Sequence, residues 1–188
     1  MVLRLRGRRI TLRDWSVDDL PSLRHRLAPE APWRETDGPY SGRPTHRDVA
    51  DQLNRLTVAA TVPADFLPTP RPSLAVAALD NDALLGQVNW YWEDERTDWR
   101  RMGLAIYDEA DWGHGYGTEA LALWTGYLFD TTDALRLDFG TYSGNPGMIA
   151  VGRKLGFTQE AVFRKARRWT GGVHDAVVFG ILRSEWVD

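Results

Sequence analysis

The stretch that decides the fold is Trp112-Gly113-His114-Gly115-Tyr116-Gly117-Thr118, in which three glycines alternate with other residues between a predicted strand and a predicted helix. Glycines at this spacing let successive backbone N–H groups point into one concavity at the start of a helix, where the helix dipole also favours an anion. The stretch therefore predicts a phosphate-binding turn. The alternative is a tight strand-to-helix turn that only tolerates glycine.

Two better-known phosphate-binding motifs do not fit this turn. The phosphate loop of nucleoside triphosphatases requires Gly-Lys-Ser/Thr, whereas Gly117 is followed by Thr118 and Glu119. The dinucleotide fingerprint requires a third glycine where Thr118 stands, and it normally lies near the start of its domain. What remains is a pyrophosphate-binding turn of another type.

The segments on both sides of the turn alternate between strand and helix patterns. Apolar alternation and short apolar runs predict strands near 3–13 (a hairpin or an edge strand), 74–79, 84–92, 98–107, 135–142, 158–165 and 174–182. Helical spacing and capping residues predict helices after Ser16, after Thr45, over 118–129 and from Asn145-Pro146 to Leu155. This order predicts an α/β fold with a mixed, mostly antiparallel sheet of six or seven strands and helices on both faces.

Composition restricts the class of protein. The 188 residues are 43% hydrophobic and 26% charged, which is typical of a soluble globular chain, and we expect one domain over 1–188. The lack of cysteine excludes disulfides, thiolate nucleophiles and cysteine-based zinc sites, and the histidines lack metal-ligand spacing, so no metal is expected. A net charge of −3 argues against nucleic-acid binding. The longest aliphatic run, 74–79, is far shorter than the roughly 20 residues of a membrane-spanning helix, so we expect no membrane association and a cytoplasmic location.

Further blocks carry a resemblance to a known family. The block 112–120, followed by Asn145-Pro146-Gly147-Met148-Ile149 and Lys154-Leu155-Gly156-Phe157, resembles the GCN5-related N-acetyltransferase (GNAT) superfamily. The segments Ile10-Thr11-Leu12-Arg13 and 160–186 are similar to the branch that contains ribosomal-protein N-terminal and spermidine acetyltransferases, whereas 28–72 match no part of that pattern. The resemblance implies a three-layer acyl-CoA N-acyltransferase fold.

The resemblance also implies where a cofactor lies. Acetyl-CoA would occupy a V-shaped opening between two central strands, with its pyrophosphate on the glycine turn, its pantetheine arm along the preceding strand and an asparagine beside that arm. The cofactor-binding residues implied in this way are Leu104, Ala105, Ile106, Trp112, Gly113, His114, Gly115, Tyr116, Gly117, Thr118 and Asn145.

The sequence departs from the family pattern where acids and bases are commonly found. Gly152 occupies the position of a tyrosine that protonates the departing thiolate, Met148 that of a serine, and Gly140 that of the general-base glutamate of some N-terminal acetyltransferases. The first position of the turn, commonly Arg or Gln, is Trp112. A thiol of pKa ~8.5 leaves without an acid near neutral pH, so the base is the stricter requirement.

Other residues are candidates for catalysis and for substrate binding. Tyr142 and Asp138 share a strand face with Gly140 and are candidate catalytic residues, with a surface or capping role as the alternative for each. Trp33, Tyr40, Trp90 and Trp92 could form an apolar substrate wall, with core packing as the alternative.

Together these features predict an N-acetyltransferase that moves an acetyl group from acetyl-CoA to a primary amine, either a protein N-terminus or a small-molecule amine, by direct attack in a ternary complex. Two alternatives stay open. The missing acid and base favour a non-catalytic acyl-CoA-binding module, and the tryptophan-rich strand 88–92 favours an N-acyltransferase with a longer acyl donor. The resemblance also allows a homodimer, since dimers are common in it.

Overall fold

The computed structural model describes residues 2–37 and 42–187, in which eight strands form one sheet. The strands are β1 (Arg4–Arg6), β2 (Ile10–Arg13), β3 (Ser73–Ala78), β4 (Leu84–Asp94), β5 (Trp99–Ile106), β6 (Arg136–Tyr142), β7 (Thr158–Trp169) and β8 (Gly172–Leu182). The helices are α1 (Leu20–Arg26), α2 (His46–Thr61), α3 (Tyr116–Thr131) and α4 (Pro146–Lys154). The sheet order is β1-β2-β3-β4-β5-β6-β8-β7, and every neighbouring pair is antiparallel except β5 with β6.

The sheet has eight strands instead of the six or seven predicted, because the segment before Asp14 forms two paired strands. The N–H of Gly7 donates to the Ile10 carbonyl at 2.9 Å and closes the β1–β2 hairpin. The predicted cap at Thr45 is confirmed, since its side chain and that of Asp48 form a reciprocal capping box at the start of α2. Ser16 caps a short 3₁₀ turn, Val17–Asp19, and α1 begins only after it.

Each face of the sheet packs against its own pair of helices, which makes the predicted three layers. One core contains Trp124 of α3 and Phe139 of β6, both fully buried, with apolar residues of α4 packed against it. The other core contains Trp15 and Tyr107, with Leu23 of α1 and residues of α2. Because side chains alternate along a strand, successive residues of β4 and β5 face different cores.

The sheet opens between β5 and β6. These two strands pair in parallel at only two positions, Arg100 with Leu137 and Arg101 with Asp138. Beyond those positions β5 continues to Ile106 and β6 to Tyr142 without pairing to each other. The result is a V-shaped gap whose vertex lies at Arg101 and Asp138.

Asp138 holds the vertex together. Its carboxylate is completely buried and accepts hydrogen bonds from Trp99 Nε1 at 2.6 Å, Arg101 Nε at 2.8 Å and Arg136 Nη2 at 3.1 Å. A carboxylate buried this deeply must be paired, because an isolated ion is strongly destabilised away from water. Arg101 also forms an ion pair with Glu93, and Arg136 forms one with Glu160. Ion pairs therefore join β4, β5, β6 and β7.

Within residues 2–37 and 42–187, no helix combines the length and the apolar character needed to cross a bilayer.

Candidate active site

A cavity of about 730 Å³ lies where β5 and β6 diverge. One side of it, which we call the turn side, is formed by lining residues from Asp111 to Thr118 and from Asn145 to Lys154. The opposite side, the strap side, is formed by Gln52 of α2, by one face of β4 and by four residues that follow α1: Trp33, Arg34, Thr36 and Asp37. The cavity therefore has two walls that meet at the gap between the strands.

The backbone of the glycine turn is left-handed at two of its glycines. Gly113 and Gly115 have φ angles of 78° and 83°, which residues with a Cβ rarely adopt. Gly115 precedes α3 and has no side chain to cap the first N–H groups of that helix, and no other residue of 2–37 or 42–187 caps them. Uncapped N–H groups at the positive end of a helix dipole form a site for an anion.

The β1–β2 hairpin supports this turn from outside. Arg9 Nη1 donates to the His114 carbonyl at 2.7 Å. The Glu119 carboxylate, in the first turn of α3, accepts the backbone N–H groups of Arg8 and Arg9. These contacts fix the turn relative to the sheet and place a guanidinium group beside it.

Trp112 closes the end of β5. Its Nε1 donates to the Ile106 carbonyl at 2.9 Å, and its side chain is 36% exposed. The residue that departs from the family pattern at this position therefore ties the turn back to the strand.

The edge of β5 that faces the gap carries free backbone groups. The N–H of Tyr107 donates to Leu85 of β4 at 2.9 Å. Because successive residues of a strand point their N–H groups to opposite edges, those of Leu104 and Ile106, which lie beyond the last pairing with β6, point towards the gap. An extended ligand can pair with this edge as an added strand would.

Of the eleven residues predicted to bind a cofactor, ten line the cavity: Leu104, Ala105, Ile106, Trp112, Gly113, Gly115, Tyr116, Gly117, Thr118 and Asn145. His114 is the exception, and its ring stacks on Tyr116 at 5.8 Å. Asn145 caps α4 by accepting the Met148 N–H at 2.9 Å, and its Nδ2 donates to the Thr36 carbonyl at 2.9 Å. Both polar atoms of Asn145 are thus used within the protein.

Residues 32–37, which we call the strap, cross the cavity from α1 to the far half of the sheet. The Glu35 carbonyl accepts from Tyr142 Oη at 3.0 Å and from Trp169 Nε1 at 3.1 Å. The Glu35 carboxylate accepts from Thr170 at 2.9 Å and pairs with Arg43. The strap is held by side chains from β6, the β7–β8 hairpin and the start of α4.

Neither predicted catalytic residue lines the cavity. Tyr142 is 3% exposed, its hydroxyl donates to the strap, and burial raises its pKa. Asp138 is enclosed by the cations of the vertex. Since both side chains are committed to contacts that hold the fold, we assign neither a catalytic role.

The predicted substrate wall divides between the cavity and the core. Trp33 lines the cavity, and its Nε1 donates to the Arg26 carbonyl at 2.6 Å. Trp90 and Trp92 lie on the face of β4 that points away from the cavity, where their rings contact each other at 5.0 Å and Arg100 covers Trp92 at 4.3 Å. Tyr40 lies outside the described residues.

Sequence reasoning missed the polar residues of the strap side. They are Arg34, Asp37, Gln52, Gln87, Asn89 and Tyr91. The last three alternate with Val88 and Trp90, and this run of polar residues at every second position is the signal that could have found them. Burial raises the pKa of Asp37 and lowers that of Arg34, whose guanidinium lies 3.5 Å from the Asp37 carboxylate.

Packing explains why position 152 carries no acid. A Cβ on Gly152 would lie 2.7 Å from Phe139 Cζ and 3.1 Å from Phe179 Cδ1. Here α4 approaches the sheet so closely that only glycine fits. A tyrosine at this position, common in the family, would require α4 to move away.

Replacing Gly152 by alanine should lower the free energy of unfolding by about 1–3 kcal/mol, the usual cost of overpacking, although alanine favours helix by about 1 kcal/mol. Urea denaturation of this variant and of Gly147→Ala tests the expectation. Gly147 lies in the same helix, and its added Cβ would come no closer than 3.6 Å to another atom. Equal stability of the two variants would contradict the packing explanation.

Comparison with known proteins finds a matching family model and solved structures with a similar fold. A family model described as an acetyltransferase (GNAT) domain matches residues 9–158. An acetyltransferase of the GNAT family from Bacillus anthracis superposes with a TM-score of 0.73 at 16% identity, covering 97% of this chain and 100% of that one. RimL, a ribosomal L7/L12 alpha-N-protein acetyltransferase in complex with coenzyme A, has a TM-score of 0.71 at 14% identity, covering 97% and 98% of the two chains. A GCN5-related N-acetyltransferase from Brucella melitensis has a TM-score of 0.65 at 22% identity, with 98% and 80% covered.

Proposed function

Since this chain belongs to the acetyltransferase (GNAT) family, we propose that it transfers an acetyl group from acetyl-CoA to a primary amine within a ternary complex. The observation that carries the proposal is the gap between β5 and β6, with the glycine turn on one side of it and a polar wall on the other. Acetyl-CoA would supply an acetyl group activated as a thioester.

The turn side fits the coenzyme. The left-handed glycines and the uncapped start of α3 offer N–H groups to a pyrophosphate, and the free edge of β5 offers pairing groups to an extended arm. Backbone N–H groups that face the gap would also stabilise negative charge on an acyl oxygen. The complex of RimL with coenzyme A supports this assignment at the level of the fold.

The strap side would hold the amine, which must lose a proton before or during the transfer. Gly140 stands where some relatives carry a base. Asp37 is the one carboxylate among the described residues that line the strap side, and its side chain is half exposed, so it can pass a proton on to solvent. We therefore propose Asp37 as the group that receives the proton, directly or through water.

Ligand-induced stabilisation followed by product analysis tests the proposed function. Acetyl-CoA or coenzyme A at 100 times its dissociation constant should add about 2.7 kcal/mol of stability, which raises Tm by roughly 5–10 °C, whereas NAD should not. Mass spectrometry should then detect acetylated amines with multiple turnovers. A shift without any product would favour the binding module, and faster transfer from propionyl or succinyl donors would favour the longer acyl donor.

The ionisation of the amine predicts which acceptors are fastest. Deprotonating a lysine-like amine of pKa ~10.4 at pH 7 costs about 4.6 kcal/mol, whereas an α-amino group of pKa ~8 costs about 1.4 kcal/mol. We expect kcat/KM at pH 7 to favour α-amino over ε-amino peptides by up to about 200-fold. The rate with the ε-amine should rise nearly tenfold per pH unit below its pKa. Equal initial rates at pH 7 would contradict this expectation.

A further inference from the structure

We infer that the side chain of Asn89 positions the acceptor, and that with Gln87 and Gln52 it selects amines that carry a neighbouring peptide-like carbonyl. This inference rests on the proposed transfer reaction and adds the recognition chemistry of the strap side.

The Asn89 side chain lies beside the opening of the sheet. Asn89 pairs with Gly103 in the β4–β5 register, two residues past Arg101 at the vertex. A Cβ on Gly103 would lie 2.4 Å from Asn89 Oδ1 and 3.3 Å from Asn89 Nδ2. The Asn89 amide therefore occupies space over β5 that only a glycine at 103 leaves free.

The backbone that carries this amide is held firmly. Trp124 Nε1 donates to the Asn89 carbonyl at 3.1 Å, and Trp124 is fully buried in the core under α3. A side chain on a fixed strand is better placed to orient a ligand than one on a loop.

The amide itself has no internal partner. Within residues 2–37 and 42–187, the side chains of Asn89, Gln87 and Gln52 make no hydrogen bond, although all three are half-buried in the cavity wall. Other polar groups of the wall are engaged: Arg34 donates to the carbonyls of Leu27 and Ala28 at 2.8 and 2.9 Å. Three side-chain amides that face one cavity and have no hydrogen-bond partner among the described residues are available to a ligand that both donates and accepts hydrogen bonds.

The charge of the wall selects among amines. A polyamine would be held by several carboxylates, but the described part of the strap side has one, Asp37, which already faces Arg34. Side-chain amides both donate and accept, so they match the carbonyl and N–H groups of a peptide bond. An amine next to such a group is therefore favoured over a polycation.

Kinetics of Asn89→Ala test the inference with two acceptors, an alanyl peptide and 2-aminopropane, which lacks the carbonyl. Loss of the amide should lower kcat/KM for the peptide roughly 10-fold, the usual effect of one or two hydrogen bonds, and that for 2-aminopropane less than twofold. KM for acetyl-CoA and the Tm shift with coenzyme A should stay unchanged. The control is Asn54→Ala, which removes an exposed asparagine of α2 that does not line the cavity.

A second variant keeps Asn89 and displaces its amide. Gly103→Ala should push the Asn89 side chain aside, and we expect the same selective loss with the peptide. The inference is overturned if Asn89→Ala matches Asn54→Ala, if it slows both acceptors equally, or if the wild type prefers spermidine. If the wild type binds coenzyme A and acetylates no amine, the proposed transfer itself is overturned and this inference with it.

Discussion

Replacing Gly115 by valine should weaken the binding of acetyl-CoA by about 100-fold or more. Gly115 has a φ of 83°, a left-handed conformation that costs an L residue about 1–2 kcal/mol and a β-branched residue more. Its added Cβ would also lie 2.8 Å from Arg9 Nη1, which braces the turn. If the turn rearranges and two N–H contacts to the pyrophosphate are lost, the cost is about 3–6 kcal/mol, because a hydrogen bond to a charged group contributes about 1.5–3 kcal/mol.

Calorimetric titration with coenzyme A measures this loss directly. The matched control is Gly171→Val, since Gly171 has a φ of 82° at the tip of the β7–β8 hairpin and its added Cβ would meet no atom within 4 Å. The control carries similar backbone strain and should bind coenzyme A like the wild type. Binding by Gly115→Val within threefold of the control would show that the turn does not hold the pyrophosphate.

Replacing Asp138 by alanine should lower the free energy of unfolding by about 3–5 kcal/mol, the usual result of removing one partner of a buried ion pair. Arg101, whose side chain is 14% exposed, would remain at the vertex beside Arg136 without the shared carboxylate. The indole N–H of Trp99 would also lose its acceptor. Asp138→Asn should be less costly, because the amide oxygen can still accept a hydrogen bond.

Urea denaturation together with turnover of the folded fraction separates a structural role from a chemical one. Asp51→Ala, at an exposed position of α2, serves as the control and should change stability little. We expect Asp138→Asn to unfold at lower urea concentration while the folded enzyme keeps turnover close to that of the wild type. Full stability with turnover abolished would instead make Asp138 a catalytic residue.

The central region was predictable because its signals are local. The glycines of the turn determine their own backbone angles, and the caps at Thr45 and Asn145 act on helices that begin at the next residue. The polar-apolar alternation of β4 is equally local, and it places Trp90 and Trp92 on one face, where their rings contact each other.

Which face of β4 meets the cavity was not predictable in the same way. Both faces of this strand are partly buried. Trp90 and Trp92 are the partly buried residues on one face, and Gln87 and Asn89 are those on the other. Choosing between them requires knowing on which side the strap and α2 pack, and that choice depends on residues far away in sequence.

The strap shows most clearly which part of the site could not be predicted from the sequence. Glu35 meets Tyr142 and Trp169, which lie 107 and 134 residues further along the chain. No periodicity or motif in the sequence links these positions, so the contacts of the strap could not be predicted, although the family model spans this segment.

The amino-acid sequence by itself determined the order of strands and helices, the glycine turn and the family, because backbone sterics and capping act between near neighbours. Only the tertiary structure decided that Asp138 is buried among cations, that Gly152 leaves no room for an acid and that the Asn89 side chain lies in the cavity wall. These outcomes depend on burial and close packing between distant segments, which local pattern does not encode.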